Sequence, residues 1–152
     1  PLGYHHSKAG NATASVAYLR RFAVRAWRSH GIGEALAALE QALLDVERLP
    51  SEQRAATAIE LLCSIARCLS FLGRKAELVE RLGAREADVD ALDRHELSGP
   101  YHFWLGFALN AQGQGRSAEL HTRLALDHGL ACADGITVGY AHALLAYLCA
   151  ET

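Results

Sequence analysis

The chain has 152 residues, with a hydrophobic content of 51%, a charged content of 21% and a formal net charge of −2. This balance gives no electrostatic reason to bind a nucleic-acid backbone, and no apolar run approaches the ~20 residues of a membrane span. Ala and Leu supply 52 residues against 15 from Val, Ile and Thr, which favours helix and argues against sheet. There is no Met, so the chain is expected to be a segment of a longer protein.

A first helix is predicted from about Ala12 to Ser29, with Asn11 as its N-cap and Val16, Leu19, Phe22, Ala23 and Ala26 inward. Gly31-Ile32-Gly33 is its turn. A second helix spans about Glu34 to Leu49, with Leu36, Leu39, Leu43 and Val46 at helical spacing, and Pro50 ends it. Ser51 is expected to cap a third helix that reaches Leu72 and buries Ile59, Leu62, Ile65, Ala66 and Leu69; Gly73 stops it. Arg74 to about Glu96 is a fourth helical region whose pattern weakens at Gly83-Ala84-Arg85, where a break is expected. Ser98-Gly99-Pro100 is read as the start of a fifth helix, with proline in the first turn. It carries Trp104, Leu105, Ala108 and Leu109. A sixth helix runs from Arg116 to His128, with Leu120, Leu124 and Ala125 inward. Asp134-Gly135 precedes a seventh, containing Tyr140, Leu144, Leu145 and Leu148. The fold class is all-α, with about seven helices.

A repeat underlies these elements. Phe22-Ala23, Ile65-Ala66, Leu105-Gly106 and Leu145-Ala146 each set a large apolar residue before a small one, and the small residues lie 43, 40 and 40 positions apart. A fixed period of this size is the signature of stacked helical hairpins. The hairpins are placed at about 12–49, 51–97 and 98–131, with a half hairpin at 133–152, in a single domain of residues 1–152. All four small residues are expected to be buried where helices meet.

The third copy, Leu105-Gly106, Leu109, Gly113, Ala118 and Leu124-Ala125, resembles a tetratricopeptide repeat. The first resembles it through Phe22-Ala23, Ala35, Leu39 and Ala42. The second fits through Ala66 and Gly73, but Leu78 and Arg85 stand where that family has small residues. The segments Tyr4-His5-His6-Ser7-Lys8-Ala9-Gly10 and Gly99-Pro100-Tyr101-His102-Phe103-Trp104-Leu105-Gly106 resemble stretches of large bacterial signalling proteins of the predicted ATPase, adenylate or guanylate cyclase and transcription-activator type. The resemblance implies a helical-hairpin solenoid and a cytoplasmic setting. It also implies that the first helix of each hairpin lines a concave groove. By that register Arg20, Val24, Trp27, Arg67, Ser70, Phe103, Phe107, Asn110 and Tyr147 face the groove.

Such a groove suits an extended peptide or protein partner carrying a carboxylate, through charge-assisted bonds from arginine beside apolar pockets. Neighbouring domains of the same chain are candidate partners as well. The alternative is a small-molecule sensor in which Trp27, Phe103, Phe107 and Tyr147 stack on a flat ligand. No motif of the Gly-x-x-x-x-Gly-Lys-Ser/Thr kind is present, and no local motif arranges a nucleophile, a base and an acid. No cofactor, metal or catalytic residue is expected. Cys63, Cys68, Cys132 and Cys149 lack a Cys-x-x-Cys pair and read as small reduced core thiols. The eight histidines read as ordinary surface residues, with His121 and His128 on one helix face two turns apart. The apolar end near Leu145–Cys149 is a candidate surface for self-association.

Overall fold

The computed structural model describes residues 12–150, which form eight α-helices, one 3-10 turn and no strand. In chain order they are α1 (Ala12–Arg28), α2 (Ile32–Asp45), the 3-10 turn Val46–Arg48, α3 (Ser51–Phe71), α4 (Lys75–Gly83), α5 (Glu86–Leu92), α6 (His95–Ala111), α7 (Gly115–Ala131) and α8 (Gly135–Ala150). The fourth helical region breaks into α4 and α5 where its sequence pattern weakens, so eight helices stand in place of seven. The chain divides into two compact units, the first ending at Leu72 and the second starting at Gly73. The expected cap Asn11 lies outside the described residues.

In the first unit α1 packs on α2, and α2 on α3. Ala23 of α1 and Ala35, Leu39 and Ala42 of α2 are all buried. The inward face of α3 is the one its periodicity indicates: Ile59, Leu62, Ile65, Ala66 and Leu69 are each at most 4% exposed. A polar tie crosses this core. The Ser15 hydroxyl donates to the Asp45 carboxylate at 2.5 Å, both residues being buried, with Arg48 3.9 Å from the same carboxylate. A buried carboxylate needs such donors, because an unpaired charge in a core is costly.

In the second unit α4 and α5 pack on α6, α6 packs on α7, and α8 packs on both α6 and α7. Leu78, Leu82 and Val89 are fully buried, and the Tyr101 hydroxyl donates to the Leu82 carbonyl. Gly106 sets the closeness of α6 and α7. A Cβ built there would stand 2.7 Å from Thr122 Oγ1 and 3.1 Å from the Ala118 carbonyl oxygen. Seven residues earlier on the same face, a Cβ built on Gly99 would stand 3.3–3.6 Å from atoms of Thr137, Gly129 and His128. Asp134 caps α8: its Oδ1 accepts from the Ile136 and Thr137 amides at 3.1 and 3.3 Å, and its Oδ2 from the Thr137 hydroxyl at 2.6 Å. The Thr137 bonds hold the Asp134 carboxyl below its usual range, as expected for an acceptor of several hydrogen bonds.

Several sequence expectations are corrected. α6 begins at His95, so Gly99 is buried within it and Pro100 lies inside it, beyond the first turn. Ser51 is the first residue of α3 and makes no capping bond. Pro50 holds the cap position and accepts the Gln53 amide at 2.9 Å. Phe22 and Leu120, expected inward, are exposed, at 37% and 58%. The seam between α6 and α7 explains Leu120. Helices this close admit Ala118, Thr122, Ala125 and Gly129, and leucine is too bulky for that face. Leu78 is buried where a small residue was expected. Of the four small residues, Ala23, Ala66 and Gly106 are buried, but Ala146 is exposed. The earlier copies set theirs within the cores of their units; α8 buries Thr137, Ala141, Leu144 and Leu148 instead.

Three turns close alike. His30, Gly113 and Ala133 have φ of +65°, +74° and +57°. The next residue in each case donates its amide to a carbonyl five back: Gly31 to Ala26 at 2.8 Å, Gln114 to Leu109 at 3.0 Å and Asp134 to Gly129 at 2.9 Å. This is the Schellman closure, which favours glycine at the left-handed position. Two of the three carry a side chain there. Ala133→Gly is therefore expected to raise stability and Gly113→Ala to lower it, each by about 1 kcal/mol. Denaturant melts of the two variants check both signs.

Candidate functional site

The first unit holds a small cleft lined by Arg20, Ala23, Val24 and Trp27 of α1, Ala35 and Leu39 of α2, and Ser64, Arg67 and Cys68 of α3. The α1 residues Arg20, Val24 and Trp27 stand at i, i+4 and i+7, so they share one helix face. Glu60, Ser64 and Arg67 repeat that spacing on α3. Two contacts pair these faces. Arg20 Nη1 lies 2.7 Å from Glu60 Oε2, and the Arg67 guanidinium carbon lies 4.4 Å from the Trp27 ring centroid. Each contact joins residues forty apart in sequence, so α1 and α3 run in the same direction where they face each other. Phe71 meets Trp27 edge-on, with centroids 5.1 Å apart, and is itself 70% exposed.

The chemistry of the cleft is that of a half-satisfied cationic surface. The Arg20 side chain keeps 46% of its surface exposed and that of Glu60 35%. An ion pair this wet contributes little net stability, so Glu60 can yield Arg20 to a competing carboxylate. Arg67 sits over the Trp27 ring in a cation–π contact that restrains its guanidinium beside the cleft. Ser70 lies half-buried near the end of α3. Beside Glu60, burial first and that carboxylate second push the Cys63 thiol up to about 12. It stays protonated and is a poor nucleophile.

In the second unit the ring of Phe103 stacks on Tyr140 of α8 at 5.3 Å, and meets Trp104 at 5.2 Å and Phe107 at 6.2 Å. Trp104 also stands edge-on to Phe107 at 6.0 Å. The Lys75 ammonium lies 4.2 Å from the Phe107 centroid, and burial lowers its pKa. Phe103, Trp104 and Phe107 are half-buried, while Tyr140 is exposed. Asn110 is half-buried one turn beyond Phe107, and its carbonyl accepts the Gly113 amide at 2.9 Å. Tyr147 is 53% exposed on α8. Leu145 is half-buried, and Ala146 and Cys149 are exposed beside it.

The histidines differ from the surface residues that the sequence suggested. His102 is 2% exposed and His121 8%, and their Nδ1 atoms are 3.1 Å apart across α6 and α7. The Nδ1 atoms of His95 and His128 are 2.8 Å apart. Among the described residues no group of three or more His, Cys, Asp or Glu side chains is arranged to hold a metal ion. None of the four cysteines is in a disulfide; Cys68 is buried, but Cys149 is exposed, against the expectation of four core thiols. No described helix is long and apolar enough to cross a membrane. No family model, curated protein or solved structure matches the chain.

Glu60, Ser64, Lys75 and Tyr140 were not among the sequence candidates. The first two were legible, because they fall one and two helical turns before Arg67 on its own face. Lys75 and Tyr140 become visible only when α4 and α8 are placed against α6. The Trp27 stack is directly testable. In a Trp104→Phe background, Arg67→Ala is expected to shift tryptophan emission to the red and to cost about 0.5–1 kcal/mol, the worth of an exposed cation–π contact. A spectrum and a melt read the two effects.

Proposed function

We propose that this chain is a non-catalytic recognition module of tetratricopeptide-like hairpins, the interaction or regulatory-input part of a larger signalling protein. The cleft of the first unit is its binding site, and the ligand is an extended peptide or protein segment carrying carboxylates. The observation that carries this reading is the pairing of α1 and α3 at a constant forty-residue offset. It sets two arginines and a tryptophan side by side along one cleft. Arg67, fixed by the Trp27 ring, offers paired donors to a carboxylate, and arginine–carboxylate bonds of this kind are among the stronger hydrogen bonds of proteins. Val24 and Trp27 supply the apolar contact beside them. Glu60 occupies Arg20 in the ligand's place and is displaced when an acidic side chain or C-terminus arrives.

A second reading is favoured by the aromatic group of the second unit. Phe103, Trp104, Phe107 and Tyr140 form a cluster of rings with the Lys75 cation against it. Rings of this kind stack on flat or sugar-like ligands, which is the behaviour of a small-molecule sensor. The two readings are told apart by which tryptophan responds: Trp27 to a peptide, Trp104 to a small ligand.

The test of the first reading uses Asp- and Glu-rich peptides and the unlabelled protein. Arg67→Ala is expected to weaken binding mainly at low salt, since the lost interaction is one between charges. Glu60→Gln should tighten it by releasing Arg20. Trp27→Ala should weaken it at every salt concentration, because apolar burial is barely screened. Binding that is indifferent to Arg67, or a Glu60→Gln variant that binds more weakly, contradicts the assignment.

A further inference from the structure

α6 and α7 bring four histidines together. His95 and His102 are seven residues apart on α6, as are His121 and His128 on α7, so each helix presents its pair on one face. The faces meet at the seam. His102 and His121 approach through Nδ1 at 3.1 Å, and His95 and His128 through Nδ1 at 2.8 Å. The His102 ring is near-parallel to both α7 rings, with centroids 5.3 Å from His121 and 5.7 Å from His128. Two helical turns span about 10.5 Å, so His102 lies between them. The group is a column with a buried end at His102 and His121 and an exposed end at His95.

The geometry limits how many protons the column can hold. Where two ring nitrogens are in contact, one donates and the other must offer a lone pair, so one ring of each pair must be neutral. Four neutral rings satisfy both contacts. Four protonated rings satisfy neither, and they would place four positive charges along one seam.

Charged and titratable groups face the column from each neighbouring element. From α5 come Glu86, whose Oε1 is 3.8 Å from His121 Nε2, and Asp90, which acts on His102, His121 and His128. Asp93, after α5, and Asp127 of α7 act on His128. Tyr101 of α6 meets the His102 ring edge-on at 5.2 Å. The carboxylates favour protonation; burial opposes it, and so do the other histidines around His102. Burial prevails. It is the first cause lowering His102, His121 and His128 alike, and with the repulsion of His121 and His128 it brings His102 from 6.5 to about 4.

We propose that this histidine column is an acid-sensitive latch on the second unit, holding α6 against α7 while its rings are neutral and releasing that seam when they take up protons. The sign follows from linkage. A released His102 takes a proton near pH 6.5, whereas the held ring refuses it until about pH 4. Between those values the released state binds more protons, so the closed seam weakens as pH falls; above them there is no penalty. The latch therefore acts in the mildly acidic range. It bears on α6, the helix that also carries Phe103 and Phe107, yet it stands independently of any ligand at those rings.

The experiment is an imidazole titration of the wild-type protein by NMR, with amide exchange followed over the same pH range. The expected result is a His102 midpoint well below the 6.5 of an ordinary imidazole, with α6 and α7 amides losing protection between about pH 7 and 5 before those of α1–α3 do. A His102→Phe/His121→Phe variant keeps the rings stacked but removes two titrating groups, and its thermal midpoint should vary less with pH than that of the wild type. His102 titrating as an ordinary imidazole overturns the proposal, as does seam protection unchanged down to about pH 5. A folded double variant with the wild-type pH dependence does the same. If that variant does not fold, the wild-type titration and exchange profile decide alone.

Discussion

A missing side chain at Gly106 lets α6 and α7 come closer than a Cβ at that position would allow. The carbonyl of Ala118 and both the hydroxyl and the amide of Thr122 occupy the space where a Cβ would stand. Much else in the second unit follows from this approach. Opposite Gly106 the face of α7 is small or compact, with Ala118, Thr122 and Ala125 buried and His121 flanking them, while Leu120 falls outside the seam. Thr122 turns its hydroxyl back to the Ala118 carbonyl at 2.6 Å, so no polar atom is stranded in the tight seam. The same proximity brings His102 within hydrogen-bonding distance of His121.

In the first unit the corresponding small residues, Ala23 and Ala66, lie on α1 and α3, and each is followed at once by a residue of the cleft, Val24 or Arg67. A register that buries the alanine turns its neighbours toward the cleft. Arg20 and Trp27 fall three residues before and four after Ala23, so one helical face packs and the next lines the cleft. The contacts Arg20–Glu60 and Trp27–Arg67 then share their sequence offset because the two helices run side by side. Charge and ring alternate along this cleft: a solvent-exposed ion pair, then a cation over an indole.

The all-α class, the order of the helices and the break after α4 were legible, because helical periodicity and turn residues are local signals. The inward face of α3 was read correctly for the same reason, being a run of Ile and Leu at regular spacing. The reading failed where burial is not the same as hydrophobicity. α7 buries alanine, threonine, histidine and glycine, so of Leu120, Leu124 and Ala125 only Ala125 is fully inward. Pro100 reads as a start signal, but α6 begins five residues earlier, at His95. Of the candidate site residues, Arg20, Val24, Trp27 and Arg67 line one cleft, and Phe103 and Phe107 belong to one ring cluster. The partners Lys75 and Tyr140 come from other helices, at positions that no local pattern marks. The histidine column was the largest omission. Its two seven-residue spacings are visible in the sequence, but that they face each other is a property of the α6–α7 seam.

The claim on which this account most depends is that the hairpins are held by close contact at a small residue. A double-mutant cycle between Gly106→Ala and Thr122→Ala tests it at a single pair of atoms. Gly106→Ala alone should cost about 1–3 kcal/mol by overpacking. In the Thr122→Ala background the hydroxyl it would strike is gone, so the cost should fall by at least about 0.5 kcal/mol, the coupling of residues in contact. A Gly106→Ala variant as stable as the wild type, or one with the same cost in both backgrounds, would contradict the packing described for α6 and α7.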